Sequence, residues 1–194
     1  MLAAKSKAVH QIKITLEGVQ PSIWRRVQVL SDCTLGQLHR VIQAVMGWED
    51  YHLHEFIFKR KVYAIPDPDD DLYERKVTDE RQVRLSVLVP RVGTRFQYHY
   101  DFGDNWRHDL LLESISISHP GSQVPVCVAG ARNCPPEDCG GYHGYAGFLE
   151  AIRDPEHKEH ERVLEWISGH FDPEFFDLDQ VNQALRKRIR SRKG

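Results

Sequence analysis

The chain has 194 residues, 41% hydrophobic and 28% charged, with a net charge of −2. This balance fits a folded globular protein with one good core or two small ones, and it rules out a disordered polyelectrolyte. No apolar run approaches the roughly 18 residues of a membrane helix. Residues 1–7 lack a signal peptide's apolar stretch, so the expectation is a cytoplasmic protein with no membrane partner.

Residues 9–17 alternate, with Ile12, Ile14 and Leu16 on one side and Lys13, Thr15 and Glu17 on the other, which predicts a half-buried strand. After a turn containing Pro21, Ile23–Leu30 predicts its antiparallel partner. Arg25 shares the parity of Ile23, Val27 and Val29 and Arg26 does not, so one of these arginines must find a partner or an edge. Thr34 with Gln37 forms a capping box before the helical stripe Leu35, Leu38, Val41, Ile42, Val45 and Met46, and Gly47 is the expected stop. His54, Phe56 and Phe58 share one strand face, and residues 61–65 are a candidate return strand. Pro66–Asp71 reads as a solvated acidic loop, and Val83–Val89 as a short strand or turn.

The densest set of ionisable groups lies in Tyr98–Asp109. Apolar residues alternate at Phe96, Tyr98, Tyr100 and Phe102, and again at Trp106, His108, Leu110 and Leu112. Keeping all the rings together predicts a hairpin with Gly103, Asp104 and Asn105 in the loop, Phe102 opposite Trp106 and Tyr100 opposite His108. The outer face then pairs Asp101 with Arg107 and His99 with Asp109. Residues 119–142 form a Pro/Gly loop with three of the four cysteines. Beyond it, 143–190 is helical, with stripes around Tyr145–Ile152 and Val163–Ile167 and a last helix opened by Asp177 and Gln180.

Six cations, Arg186, Lys187, Arg188, Arg190, Arg192 and Lys193, close the chain at 186–194 and leave 20 basic against 28 acidic residues elsewhere. Only this tail attracts nucleic acid, and its plainer reading is a solvated helix end that complements the helix dipole. Strands with one long helix first and helices last predict an α+β fold in a single domain. Its antiparallel or mixed sheet occupies 9–118, ahead of the cysteine loop and the helical part.

Several blocks, in this order, carry a family resemblance. They are Ile12–Leu16 with Pro21–Arg26, Leu38-His39 with Met46-Gly47-Trp48, His52–Phe56, Tyr100–His108 and Cys134–Gly141. The chain resembles the plasmid pRiA4b ORF-3-like proteins from about residue 9 to about residue 186. The resemblance implies an α+β accessory protein of plasmids and mobile elements, and it assigns no catalytic residue.

Three chemistries compete. Cys127, Cys134, Cys139 and His143 offer four ligands for a structural zinc, the candidate cofactor; the alternative is a thiol-bearing loop packed on the helices. His52, His54, Asp104 and His108 could serve a metal-dependent hydrolase acting on phosphoesters, or could simply satisfy buried groups by hydrogen bonding. The tail could bind nucleic acid weakly through its phosphates. The leading expectation is a non-enzymatic interaction module with a protein partner. No phosphate-binding loop, dinucleotide fingerprint or nucleophile elbow is present.

Overall fold

The period-two alternation is realised as one sheet whose apolar side is covered and whose other side is wet. The computed structural model describes residues 6–66, 76–119 and 121–190. Within these, eight strands run β1 (Ala8–Leu16), β2 (Trp24–Leu30), β3 (His54–Phe58), β4 (Lys61–Ala64), β5 (Val77–Asp79), β6 (Arg95–Tyr100), β7 (Trp106–Ile117) and β8 (Val126–Ala131). Their order across the sheet is β5-β4-β3-β6-β7-β1-β2-β8, antiparallel except for the parallel β4–β5 edge. The helices are α1 (Leu35–Met46), α2 (Leu85–Leu88), α3 (Gly141–Arg153), α4 (His160–Trp166) and α5 (Leu178–Arg190). This is an α+β fold with a mixed sheet.

Ile12, Ile14, Ile23, Val27, Phe96, Tyr98, Leu110 and Leu112 all turn to one face, where they join α1 residues and Tyr145, Phe148 and Leu185 in a single core cluster. On the opposite face Arg26 meets Glu113 at 2.5 Å, and Gln11 donates to the same carboxylate. Arg25 is the arginine that goes inward. It donates to the carbonyls of Val45, Trp24 and Ala131 and to the Cys134 sulfur, so a buried guanidinium stitches β2 to α1 and to the chain beyond β8.

The α1 capping box forms as the sequence predicts, and Gly47 closes the helix in the left-handed region at φ 84°. The hairpin differs from expectation. Tyr100 pairs with Trp106, Tyr98 with His108, and His99 with Arg107, so the register lies two residues away and the loop has five residues. A shift of two keeps every ring on its face, which is why alternation could not detect it. Asp101 decides the register. It leaves the strand at φ 55°, and its Oδ1 accepts from the backbone N–H of Gly103 and Asp104. Phe102 is thereby left exposed, and Asp109 pairs with Arg95 instead of His99.

The cysteine stretch is also not wholly a loop, because residues 126–131 add β8 to the β2 edge. Val83–Val89 contains the short helix α2, preceded by a 3-10 turn at Glu80–Gln82. Most of the acidic loop, residues 67–71, lies outside the described residues. No helix among the described residues is long and apolar enough to cross a membrane.

Candidate metal centre

The residues from Asp50 to His54 alternate in burial, with Asp50, His52 and His54 turned in and Tyr51 and Leu53 exposed. The inward three divide between two polar groups. Asp50 and His54 meet His39 of α1, and His52 meets Asp101 and Asp138.

In the first group the His39 and His54 imidazoles are stacked, with centroids 3.5 Å apart and planes 3° from parallel. His39 Nε2 lies 2.7 Å from Asp50 Oδ1, and His54 Nε2 lies 2.9 Å from Glu80 Oε2. One ligand atom from each of His39, Asp50 and His54 falls within 4.8 Å of the other two. Two unit positive charges at this separation would repel by about 5 kcal/mol at an effective dielectric of ~20, which adds to the burial that disfavours a charged His39. Burial holds the His39 pKa below its ordinary value despite the Asp50 hydrogen bond. Asp50 stays below the usual carboxylate range because its hydrogen bond to His39 and the nearby Arg188 outweigh its burial. A neutral imidazole beside an ionised carboxylate is the protonation state a divalent cation needs.

The shell behind His39 can accommodate that role. Its Nδ1 lies 2.7 Å from the Tyr98 hydroxyl, which Gln43 Nε2 approaches at 3.0 Å. Gln43 Oε1 has no partner as placed. With the amide turned, Tyr98 donates to Gln43 and accepts from His39 Nδ1–H, which frees the Nε2 lone pair. In a tetrahedral zinc site neighbouring ligand atoms sit about 3.3 Å apart, so an ion would open the 2.7 Å His39–Asp50 contact by about 0.6 Å, and it would turn the two imidazoles out of their parallel stack, since an ion lies in the plane of each ring that binds it.

The group opens on a cleft of about 610 Å³ lined by His39, His54, Glu80, Arg40, His52 and Arg81, among others. The Arg40 Nε is buried and has no partner among the described residues.

The structure redistributes the residues singled out from sequence. His54 belongs to the first group and His52 to the second. Asp104 is in neither; its Oδ2 accepts from Gly140 N–H at 3.1 Å. His108 is fully buried against Trp48 and Tyr98, and burial pushes its pKa down to about 3. The four residues proposed as one hydrolytic cluster thus lie in four environments, because His52 and His54 belong to different groups, Asp104 caps a loop and His108 faces the core.

Cys127, Cys134, Cys139 and His143 are not gathered into a three-ligand set among the described residues. Cys127 lies on β8, Cys134 is buried against Arg25 and Met46, and His143 is exposed on α3. Burial raises the pKa of all three thiols, that of Cys139 to about 12, so each is protonated as it stands.

Of the tail, Arg186, Lys187, Arg188 and Arg190 form the last turns of α5, while Arg192 and Lys193 lie outside the described residues. Arg188 does not point away; it donates to the Trp48 carbonyl at 2.6 Å and lies 3.4 Å from Asp50.

Sequence reading missed His39, Asp50 and Glu80. His39 stands four residues after Leu35 and three before Ile42, so it occupies the apolar stripe of α1. Asp50 carried a signal in its two-residue spacing from His52 and His54. Glu80 carried none, since its approach depends on how the strand pair β4–β5 folds back.

The profile of the plasmid pRiA4b ORF-3-like proteins matches residues 8–180. A Sinorhizobium fredii relative, described as uncharacterized protein y4hQ, is 37% identical over 180 residues, covering 92% of this chain and 91% of its own. A crystal structure of the Methanosarcina mazei protein of unknown function MM3350 superposes with a TM-score of 0.79 at 38% identity, covering 90% of this chain and 98% of that one.

Proposed function

Because the chain belongs to the plasmid pRiA4b ORF-3-like family, whose fold alone names no reaction, we propose a function from its site: a divalent-metal-dependent hydrolase acting on anionic esters, the phosphoester class. The observation that carries this reading is the trio His39, Asp50 and His54, two imidazoles and a carboxylate at the floor of an open cleft. Two nitrogens and one oxygen suit zinc or manganese and leave coordination positions for water and substrate. A bound ion would act as a Lewis acid there and lower the pKa of its water. Glu80, 1% exposed and paired with His54, would be the carboxylate to take a proton from that water. Arg40, on the cleft wall with its Nε unpartnered, suits a negatively charged ester.

The test is hydrolysis of bis(p-nitrophenyl) phosphate by tag-free protein loaded with zinc or manganese. The expected result is metal-dependent turnover that falls at least 100-fold in His39→Ala and in Asp50→Asn while circular dichroism stays native. Turnover unchanged in both variants, or none with either metal, would overturn the hydrolase.

A second reading, an interaction module, draws on Leu53, 71% exposed on the wall of the same cleft, and on Tyr51 two residues before it in the chain, 76% exposed. It expects metal binding without turnover.

A further inference from the structure

The second polar group shares no residue with the proposed hydrolytic trio, although its His52 also lines the wall of the same cleft. His52 Nε2 sits 3.0 Å from Asp138 Oδ1 and 3.6 Å from Asp101 Oδ2. Although buried, this nitrogen makes no hydrogen bond of acceptable geometry with either oxygen. The ligand atoms of the three residues lie within 4.8 Å of one another. The loop turn employs Asp101 Oδ1, through Gly103 and Asp104, and leaves Oδ2 turned toward His52. Asp101 and Asp138 both hold left-handed backbone, at φ 55° and 60°, an uncommon conformation for residues other than glycine.

These side chains come from three separate parts of the chain: the connection into β3, the β6–β7 loop, and the 134–140 segment. Hydrogen bonds already link those parts. Trp48 Nε1 donates to the Pro135 carbonyl, the Tyr100 hydroxyl donates to Glu137 Oε1, the Glu49 N–H donates to Glu137 Oε2, and the Gly140 N–H donates to Asp104. None of these contacts satisfies His52.

We propose that His52, Asp101 and Asp138 form a second divalent-cation site, of the zinc or manganese class, that clamps the 134–140 segment onto the β6–β7 hairpin. One imidazole and two carboxylates suit those ions, and the exposed side of Asp138, 65% accessible, leaves room for water to complete the coordination. The ion neutralises the two carboxylates and gives His52 Nε2 the partner it lacks. Its role is structural, because the third ligand is the one that joins the loop to the sheet.

The experiment is equilibrium dialysis of the full chain against zinc chloride, with amide exchange of residues 134–140 followed by mass spectrometry. The wild type should bind two ions per chain; Asp138→Asn and His39→Ala should each bind one. Zinc should slow exchange at 134–140 in the wild type and in His39→Ala, and leave it unchanged in Asp138→Asn. Asp138 is exposed, so its substitution leaves the core intact. An Asp138→Asn chain that binds as many ions as the wild type overturns the clamp. One ion in the wild type and none in His39→Ala also overturns it, while leaving the first centre standing. One ion in the wild type and none in Asp138→Asn supports the clamp and removes the first centre instead.

Discussion

His108 shows what a titratable group costs when the fold gives it no charged partner. Its folded pKa of about 3 lies below the ordinary 6.5 because burial penalises the charged form. The unfolded chain therefore binds one more proton than the folded chain between those values. The stability His108 contributes is complete above about pH 6.5 and is lost as pH falls toward 3, at up to ~1.4 kcal/mol per unit. His10 and His39 are lowered in the same direction. Urea unfolding at pH 7 and pH 5 should thus give a lower midpoint at pH 5, with the difference smaller in His108→Phe. An equal difference in both proteins would mean that His108 titrates normally. The parity of His108 and His54 was legible in the sequence, because a side chain's face follows from alternation. Their partners were not legible, since those come from elements distant in sequence. Arg25 is the same case: parity sent it inward, but only the fold shows that it is satisfied by three carbonyls and a sulfur.

Elements declared by local chemistry were the ones the sequence revealed. Thr34, Gln37 and Gly47 are a complete start and stop for α1, and Thr34→Ala should lower stability by about 1 kcal/mol, read from the urea midpoint. The hairpin exposed the limit of that approach, since its register was decided by Asp101 turning out of the strand. β5 and β8 were missed because a short edge strand carries little alternation, and its pairing depends on a distant neighbour. The start of α3 gives a paired test. A Cβ on Gly144 would meet the Cys139 carbonyl oxygen at 1.9 Å, whereas one on Gly147 meets nothing within 4 Å. Gly144→Ala should therefore destabilise by roughly 2–3 kcal/mol through overpacking. Gly147→Ala should be neutral or stabilise by up to about 1 kcal/mol through helix propensity. Equal effects from the two substitutions would mean that the 139–144 turn yields easily.

Across the molecule, the blocks that carry the family resemblance converge. Met46-Gly47-Trp48, His52–Phe56, the Tyr100–His108 hairpin and Cys134–Gly141 lie far apart in sequence and meet along one polar seam. Beneath it Trp48 stacks on Tyr100 and lies tilted against Trp106. The sequence showed the blocks as signatures but not as neighbours, so its candidate clusters joined residues that the fold separates and omitted His39 and Asp50. The basic end of the chain is drawn into the same region, since Arg188 of α5 reaches Trp48 and Asp50. Deleting residues 186–194 would therefore remove a contact to the candidate centre as well as positive charge. The most direct measurement is anomalous diffraction at the zinc edge from crystals of tag-free protein grown with zinc. The expected result is a peak bounded by a ring nitrogen of His39, an Asp50 oxygen and a ring nitrogen of His54. Well-ordered density for those side chains with no anomalous peak between them, at saturating zinc, would contradict a metal centre there.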